Sequence, residues 1–328
     1  VPDDVMGNAA VAFAWHPAWR GVIALDRFRQ SVVCTSPPPW DEHDAPEDDP
    51  ATAYPRPWSD TDSARAQTWM LRADMLGIRV GKDAIDAAVQ VAAEMRTIDP
   101  PRDYVLGCEW DAQKRIGAIP CDLDPEGAPS WLTTYLGVAD SEYTRRVGRW
   151  FMIAAVARAL RPGCKVDNVL VLLSPRQGLK KSMFFDVLGG AWYVDSKIDI
   201  GDRKGLLTLH SAWIYEWPEV DHVMARKLDS EIKAFVSQRV DNFVPPYGRG
   251  SVTVPRSCIL GGTTNEEHFL RDPTGSRRWW IVRVAGKIPV SQLRRERDQL
   301  WAEALELYDC FRRDQAQGVE DDDNPCRW

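Results

Sequence analysis

The residues with the clearest chemical potential are Lys181 and Ser182, which follow a short loop near the middle of the chain. The apolar run Val169–Leu173 is typical of a buried strand and ends at that loop, and a helical apolar pattern follows the Lys-Ser pair. Strand, loop and helix in this order present backbone N–H groups to a polyphosphate, as in a phosphate-binding P-loop. In such a loop Lys181 would contact the β- and γ-phosphates, and Ser182 would hold Mg²⁺.

The loop before Lys181 departs from the usual glycine pattern. Where G-x-x-x-x-G-K-S/T is expected, the sequence reads Pro175-Arg-Gln-Gly-Leu-Lys-Lys-Ser182. Pro175 removes an N–H and fixes φ, whereas glycine allows positive φ and a close approach to the phosphates. Lys180 adds a second positive charge beside Lys181. The sequence still predicts a nucleotide-binding loop formed by Gln177, Gly178, Leu179, Lys180, Lys181 and Ser182.

A P-loop ATPase also needs an acid at the carboxyl end of a second strand, where it orients Mg²⁺ and polarises the attacking water. Glu216 ends a strand-like alternation about 35 positions after Lys181, and Glu219 follows one helical turn later. The alternative is a surface glutamate in a loop. The spacing from the Lys-Ser pair favours the functional interpretation, so Glu216 is predicted as catalytic acid and Mg²⁺ ligand, with Glu219 as a further candidate.

Two more segments carry polar groups of the kind used in phosphoryl transfer. The run Leu260-Gly-Gly-Thr-Thr-Asn265 resembles a strand that ends in a water-positioning Asn265, although an asparagine that caps a turn is the commoner use. Arg277 and Arg278 follow a Gly-containing turn and are candidates for an arginine finger, which often acts from a neighbouring subunit. The alternative is a pair of surface arginines in a salt bridge.

The elements that would position these residues alternate between strands and helices in the carboxy-terminal half. This alternation predicts an α/β fold with a mostly parallel sheet, helices on both faces, and a ligand at the carboxyl ends of the strands. Helical patterns before it indicate a smaller helical domain, and Arg158 and four other arginines of its last helix are expected on a solvated face. The predicted parts are 1–57 (an N-terminal segment and Pro/acid-rich linker), 58–160 (the mostly helical domain), 161–315 (the P-loop ATPase domain) and 316–328 (the acidic tail of a truncated chain).

The composition limits the classes of function. With a formal net charge of −7, the molecule does not coat nucleic acid by bulk charge, so any DNA contact needs a local basic surface. Seven scattered cysteines without a C-x-x-C favour a reducing, cytoplasmic setting over a disulfide framework or a zinc ribbon. Five histidines without ligand spacing give no metal motif, and the longest apolar stretch is too short to span a membrane.

Taken in order, these motifs resemble the virulence-associated protein E family, P-loop proteins of phages, plasmids and genomic islands related to primase-associated ATPases and superfamily three helicases. The resemblance runs from Trp58 to about Tyr308 and rests on several segments. They include Asp103-Tyr-Val-Leu-Gly-Cys-Glu-Trp-Asp111, Arg161-Pro-Gly163, Trp213-Ile-Tyr-Glu-Trp-Pro-Glu219, Pro246-Tyr-Gly-Arg249, Gly262-Thr-Thr-Asn265 and Thr274-Gly-Ser-Arg-Arg278.

The resemblance implies a helicase/AAA+-like P-loop NTPase fold preceded by a smaller helical domain. It implies an ATP- and Mg²⁺-dependent motor for replicating a mobile element in the cytoplasm of a bacterial host cell. Such a motor is a DNA helicase or primase-associated ATPase that acts on DNA, expected to be single-stranded, as a hexameric ring with other replication proteins. Arg249 becomes a further candidate contact to nucleotide or DNA. Relatives commonly have glycine at the positions of Pro175 and Lys180, and they often extend into a further domain.

Two alternatives stay open beside the ATPase. The first is a degenerate P-loop scaffold or adaptor that binds nucleotide weakly without turnover, which the substitutions at Pro175 and Lys180 motivate. The second is a primase module with its own polymerase site. That module would need paired carboxylates on adjacent strands, whereas the acids of 41–49 lie in a Pro-rich stretch.

Overall fold

The structure is a computed structural model that describes residues 5–41, 54–72, 75–117, 129–198, 202–244, 250–269 and 277–316. The chain forms two compact units, Val1–Pro100 and Pro101–Trp328. In the described part of the chain, no helix is long and apolar enough to cross a membrane.

The first unit combines three helices with a small sheet. In chain order its elements are α1 (Val5–Trp15), β1 (Ile23–Asp26), β2 (Ser31–Cys34), β3 (Arg56–Pro57), α2 (Asp60–Leu71), α3 (Lys82–Glu94) and β4 (Thr97–Ile98). The strand order is β3-β2-β1-β4, in which only the pair β1 and β4 is parallel. Ser59 caps α2 in a capping box with Asp62.

The second unit contains a five-stranded sheet. Its elements are α4 (Pro100–Gly107), α5 (Trp131–Leu136), α6 (Glu142–Leu160), β5 (Val169–Leu173), α7 (Lys181–Gly189), β6 (Tyr193–Val194), α8 (Arg203–Leu209), β7 (Ile214–Trp217), α9 (Val220–Arg226), α10 (Asp229–Ser237), β8 (Val240–Phe243), β9 (Val252–Pro255), β10 (Ile259–Thr264), β11 (Trp279–Arg283) and α11 (Val290–Ala316). Strands β8 and β9 form a separate antiparallel pair.

The five strands follow the order β11-β5-β10-β7-β6, and all neighbouring pairs are parallel. The α/β class with a parallel sheet is therefore confirmed. Because the strands are parallel, β5, β10 and β7 all end at the same edge of the sheet. The register places Thr264 of β10 beside Leu173 of β5, so the segments that follow both strands start side by side.

The two faces of the sheet are covered by different helices. On one face, Tyr215 and Trp217 of β7 pack in an apolar cluster with Ile232 and Phe235 of α10. On the other face α7 lies so close to β10 that a Cβ added to Gly261 would come within 2.6 Å of the Phe185 ring. A glycine at this position lets α7 approach the sheet, which brings its first turn near the end of β7.

The long helix α6 falls in the second unit, although the predicted ranges group it with the helical residues before it. Its residues are almost continuously buried from Trp150 to Ala159, and it contacts α11 and β10. The expectation of a solvated basic face is wrong for Arg158. That side chain is 1% exposed and donates to the backbone oxygens of Arg256 at 2.8 Å and Val166 at 3.1 Å.

Candidate functional site

The loop between β5 and α7 is exposed at Pro175–Gly178 and at Lys180. Two of its residues have positive φ, Gly178 at +77° and Lys180 at +66°. Lys180 is the N-cap residue of α7, and a lysine side chain has no acceptor with which to cap a helix. The first N–H groups of α7 have no partner within the helix itself, so they remain available to an anion.

Lys181 joins the ends of two neighbouring strands. Its Nζ donates to the backbone oxygen of Ser174 after β5 at 3.2 Å and to that of Thr264 in β10 at 2.6 Å. It also donates to Oδ1 of Asn265 at 2.6 Å. Burial lowers the pKa of Lys181, while the charges of Glu216 and Asp221 act in the opposite direction. The ammonium therefore lies at the carboxyl edge of the sheet, beside the predicted water-positioning asparagine.

Glu216 is fully buried at the end of β7 and accepts three hydrogen bonds from hydroxyl groups. The hydroxyls of Ser182 and Thr263 donate to Oε1 at 2.8 and 2.7 Å, and that of Tyr193 donates to Oε2 at 2.7 Å. Burial raises the pKa of Glu216, and the three hydroxyl donors partly offset that rise. The interpretation of Glu216 as a surface residue is wrong, because the carboxylate lies against the first turn of α7.

The contact between Ser182 and Glu216 pairs a hydroxyl with a carboxylate, the oxygen donors that Mg²⁺ prefers. Magnesium in phosphoryl-transfer sites is commonly held through one or two protein oxygens together with substrate phosphates, so the donor set fits this ion. The described residues include no group of three or more His, Cys, Asp or Glu side chains that could hold a metal alone. Any metal here would depend on ligands supplied by the substrate and by water.

The structure does not bring every candidate to this edge. Glu219 has a positive φ of 53°, its side chain is 55% exposed, and its carboxylate lies 3.1 Å from Nδ1 of His222. Arg249 lies outside the described residues. Among the described candidates beyond the loop, Asn265 contacts Lys181 and Glu216 contacts Ser182.

Arg277 and Arg278 lie at the opposite edge of the sheet. The backbone oxygen of Arg277 accepts from Nδ2 of Asn168, which directly precedes β5, and Arg278 Nε donates to Ser237 Oγ at 3.3 Å. The five residues of β5 separate this edge from the Lys181 loop by about 16 Å. A single chain therefore does not bring these arginines to the carboxyl edge.

Four described residues at the site were not singled out in the sequence: Tyr193, Asp221, Thr263 and Thr264. Tyr193 and Thr263 hold Glu216, and the hydroxyl of Thr264 donates to Oδ1 of Asp221 at 2.6 Å. The two threonines stand in the quoted run before Asn265, so their hydroxyls at a strand end were a usable signal. Nothing in the local sequence marks Tyr193, which reaches Glu216 because β6 pairs with β7.

A family model described as the virulence-associated protein E-like domain matches residues 106–324. The chain is also similar to two solved structures of the NrS-1 C-terminal region in its apo A form, each at 11% identity and a TM-score of 0.38. These matches cover 60% and 73% of this chain and 53% and 59% of those chains, so the chain spans somewhat more than half of their length. No match was found among curated proteins. Since the family model covers more than half of the chain, the protein belongs to the virulence-associated protein E-like family.

Proposed function

We propose that this chain is the Mg²⁺-dependent ATPase motor domain of a phage or mobile-element replication protein, with a P-loop NTPase fold. The observation that carries the proposal is the convergence of Lys181, Ser182, Glu216 and Asn265 at the carboxyl ends of three adjacent parallel strands. Parallel α/β sheets bind their ligands at that edge. The family assignment supports the replication context.

The strand order adds support from topology. Strand β10, which leads to Asn265, lies between β5, which leads to the Lys181 loop, and β7, which carries Glu216. Many ring-forming ATPases place a water-positioning polar residue between the phosphate-binding and acidic elements. The strand order therefore supports the proposed chemistry.

Each residue has a role in the proposed reaction. Backbone N–H groups of the loop and of the first turn of α7 bind the phosphates, and Lys181 gives up its bond to Asn265 to contact a phosphate oxygen. Ser182 and Glu216 would hold Mg²⁺, which supplies neutralisation of charge on the phosphates. Asn265 positions the attacking water, and Arg277 or Arg278 contributes positive charge from a neighbouring subunit of a ring bound to single-stranded DNA.

The test is Lys181→Ala in a phosphate-release assay with ATP and Mg²⁺, with and without single-stranded DNA. We expect turnover to fall by about 100-fold or more, because the residue stabilises charge on the transferred phosphoryl group. Lys180→Ala is the matched control, since it removes a neighbouring positive charge and leaves Lys181 in place. Wild-type turnover in Lys181→Ala would overturn the assignment.

The second candidate is a nucleotide-binding scaffold without turnover. It is favoured by the loop itself, in which Lys180 adopts the left-handed conformation that glycine usually provides, and Pro175 replaces the other glycine. A fluorescent ATP analogue separates the two functions. Binding that depends on Lys181, without phosphate release in the presence of single-stranded DNA, identifies the scaffold.

A further inference from the structure

We propose that Asp221 is a positioning residue of the proposed ATPase site and fills the place that the sequence pattern suggested for Glu219. This inference rests on the proposed function and adds a second acidic residue to the site. Asp221 lies in the first turn of α9, immediately after β7. Its side chain is 17% exposed, whereas that of Glu219 is 55% exposed.

Asp221 is hydrogen-bonded to the end of β10. Thr264, which is 1% exposed, donates its hydroxyl to Oδ1 of Asp221 at 2.6 Å. The same hydroxyl oxygen accepts the backbone N–H of Glu266 at 3.0 Å. Asp221 therefore fixes the rotamer of Thr264, and Thr264 in turn fixes the backbone on both sides of Asn265.

Thr264 is also hydrogen-bonded to Lys181. The backbone oxygen of Thr264 accepts from Lys181 Nζ at 2.6 Å and from the N–H of Ser174 at 3.2 Å. Thr264 thus bonds to Asp221 through its side chain and to Lys181 through its backbone. A displacement of Thr264 would move the oxygen atoms that hold the lysine, and it would move Asn265 as well.

Glu216 and Asp221 lie on opposite faces of the sheet at this edge. Consecutive residues of a strand point to opposite faces of the sheet. Thr263 holds Glu216 on the face of α7, and Thr264 holds Asp221 on the opposite face. Both carboxylates attract the Lys181 ammonium. Adjacent threonines therefore bond one carboxylate on each face of the sheet, and the charges of both carboxylates act on Lys181.

Glu219 has none of these connections. Its backbone occupies the left-handed region, and its carboxylate pairs with His222 on the surface. The positive φ at Glu219 turns the chain into α9, so the acid two residues later reaches the end of β10. The spacing from Glu216 alone favours the wrong acid.

The experiment compares Asp221→Ala with Glu219→Ala, which removes the acid two residues away. Turnover, ATP KM, binding of a fluorescent non-hydrolysable ATP analogue with Mg²⁺, and the urea midpoint are measured for the full chain. For Asp221→Ala, which removes the acceptor of the Thr264 hydroxyl, we expect kcat to fall about tenfold, since misplacing Lys181 costs most in the transition state. Analogue affinity should change by less than about threefold, and Asp221→Asn, which keeps Oδ1 as an acceptor, should recover part of kcat. Glu219→Ala should stay within about twofold of the wild type.

Thr264→Val provides an independent variant if Asp221→Ala does not fold. It keeps the backbone carbonyl and replaces the hydroxyl with a methyl group, which removes the bonds to Asp221 and to the N–H of Glu266, so we expect at least the same loss of kcat. The double variant Asp221→Ala/Thr264→Val should lose little more than Thr264→Val alone, because the bond to Asp221 is already absent there. Unchanged kcat in Asp221→Ala, a loss limited to affinity or stability, or a larger loss in Glu219→Ala would overturn the role of Asp221. If one of these outcomes is found and Lys181→Ala still loses kcat, the role of Asp221 is rejected and the proposed function stands. Turnover that survives Lys181→Ala rejects the function itself.

Discussion

Asp241 and Glu216 are two buried carboxylates of the second unit that have opposite electrostatic environments. Asp241 is fully buried and pairs with Arg256, three residues before β10, through contacts of 2.7 and 3.0 Å. His210 Nε2 lies 3.1 Å from the same carboxylate. Burial alone would raise the pKa of Asp241, but the hydrogen bonds from His210 and Arg256 lower it to about 2. This acid is ionised and compensated within the fold.

Glu216 is equally buried but is held by hydroxyl groups, which carry no charge. Among the described residues, no ion pair reaches it, and burial raises its pKa. A fold that needs only stability would pair or remove such a group, because an uncompensated buried carboxylate is costly. The comparison indicates that Asp241 stabilises the structure, whereas the environment of Glu216 supports its proposed role as a Mg²⁺ ligand.

The largest expected effect on stability belongs to the compensated acid. Arg256→Met should lower the free energy of unfolding by about 3–5 kcal/mol, because it leaves Asp241 buried without its main partner. The free energy is measured by urea unfolding without nucleotide. Arg239→Met is the control, since Arg239 is an exposed arginine that directly precedes β8, and its Nε donates to the backbone oxygen of Gly163 at 2.7 Å. Equal losses in the two variants would contradict a special role for the Asp241 pair.

Glu216→Gln should show the opposite pattern. The amide keeps an oxygen for Ser182 and Thr263, and it removes a buried charge, so the free energy of unfolding should change by less than about 1 kcal/mol. Phosphate release should nevertheless fall by about 100-fold, because the carboxylate is the proposed Mg²⁺ ligand. Both quantities are measured on the same preparation. A variant that unfolds as easily as Arg256→Met would show that Glu216 is structural and would remove the contrast between the two acids.

The residues at the carboxyl edge of the sheet could be predicted from the sequence because their meeting depends only on the direction of the strands. Parallel strands end at one edge, so a Lys-Ser pair after one strand, a glutamate near the end of a second and an asparagine after a third are expected to meet. Lys181, Ser182, Glu216 and Asn265 do meet, and no long-range information beyond the strand pattern was needed. The fold class follows from the same alternation of strands and helices.

The features that sequence reasoning missed depend on single backbone angles and on distant partners. The choice between Glu219 and Asp221 follows from the positive φ at Glu219, which the spacing of the acids does not encode. Arg158 looks like a surface residue of a basic helix, yet its guanidinium donates to the carbonyl of Val166 and to that of Arg256, which is 98 residues away in the sequence. The strands β1 and β2 lie within the range predicted as an N-terminal segment and linker, and they pair with β3 and β4, which come later in the chain.

The smallest effect concerns Lys180, which has the backbone conformation of a glycine at φ +66°. Lys180→Gly should raise the free energy of unfolding by about 0.5–1 kcal/mol, because a left-handed conformation is strained for residues with a Cβ. Ala112→Gly is a close match, since Ala112 is also exposed and has φ +64°. The two variants should gain similar stability in urea.

The phosphate-release assay then separates the two glycines. Lys180→Gly should raise turnover, because the added freedom lets the loop adjust its N–H groups to the phosphates, and Ala112→Gly should leave turnover unchanged. Lys180→Ala isolates the loss of charge from the release of strain. If Lys180→Gly gains stability but turns over no faster than Lys180→Ala, the backbone at this position does not limit the reaction. Pro175, the other position at which the loop lacks its usual glycine, would then be the loop residue expected to limit turnover.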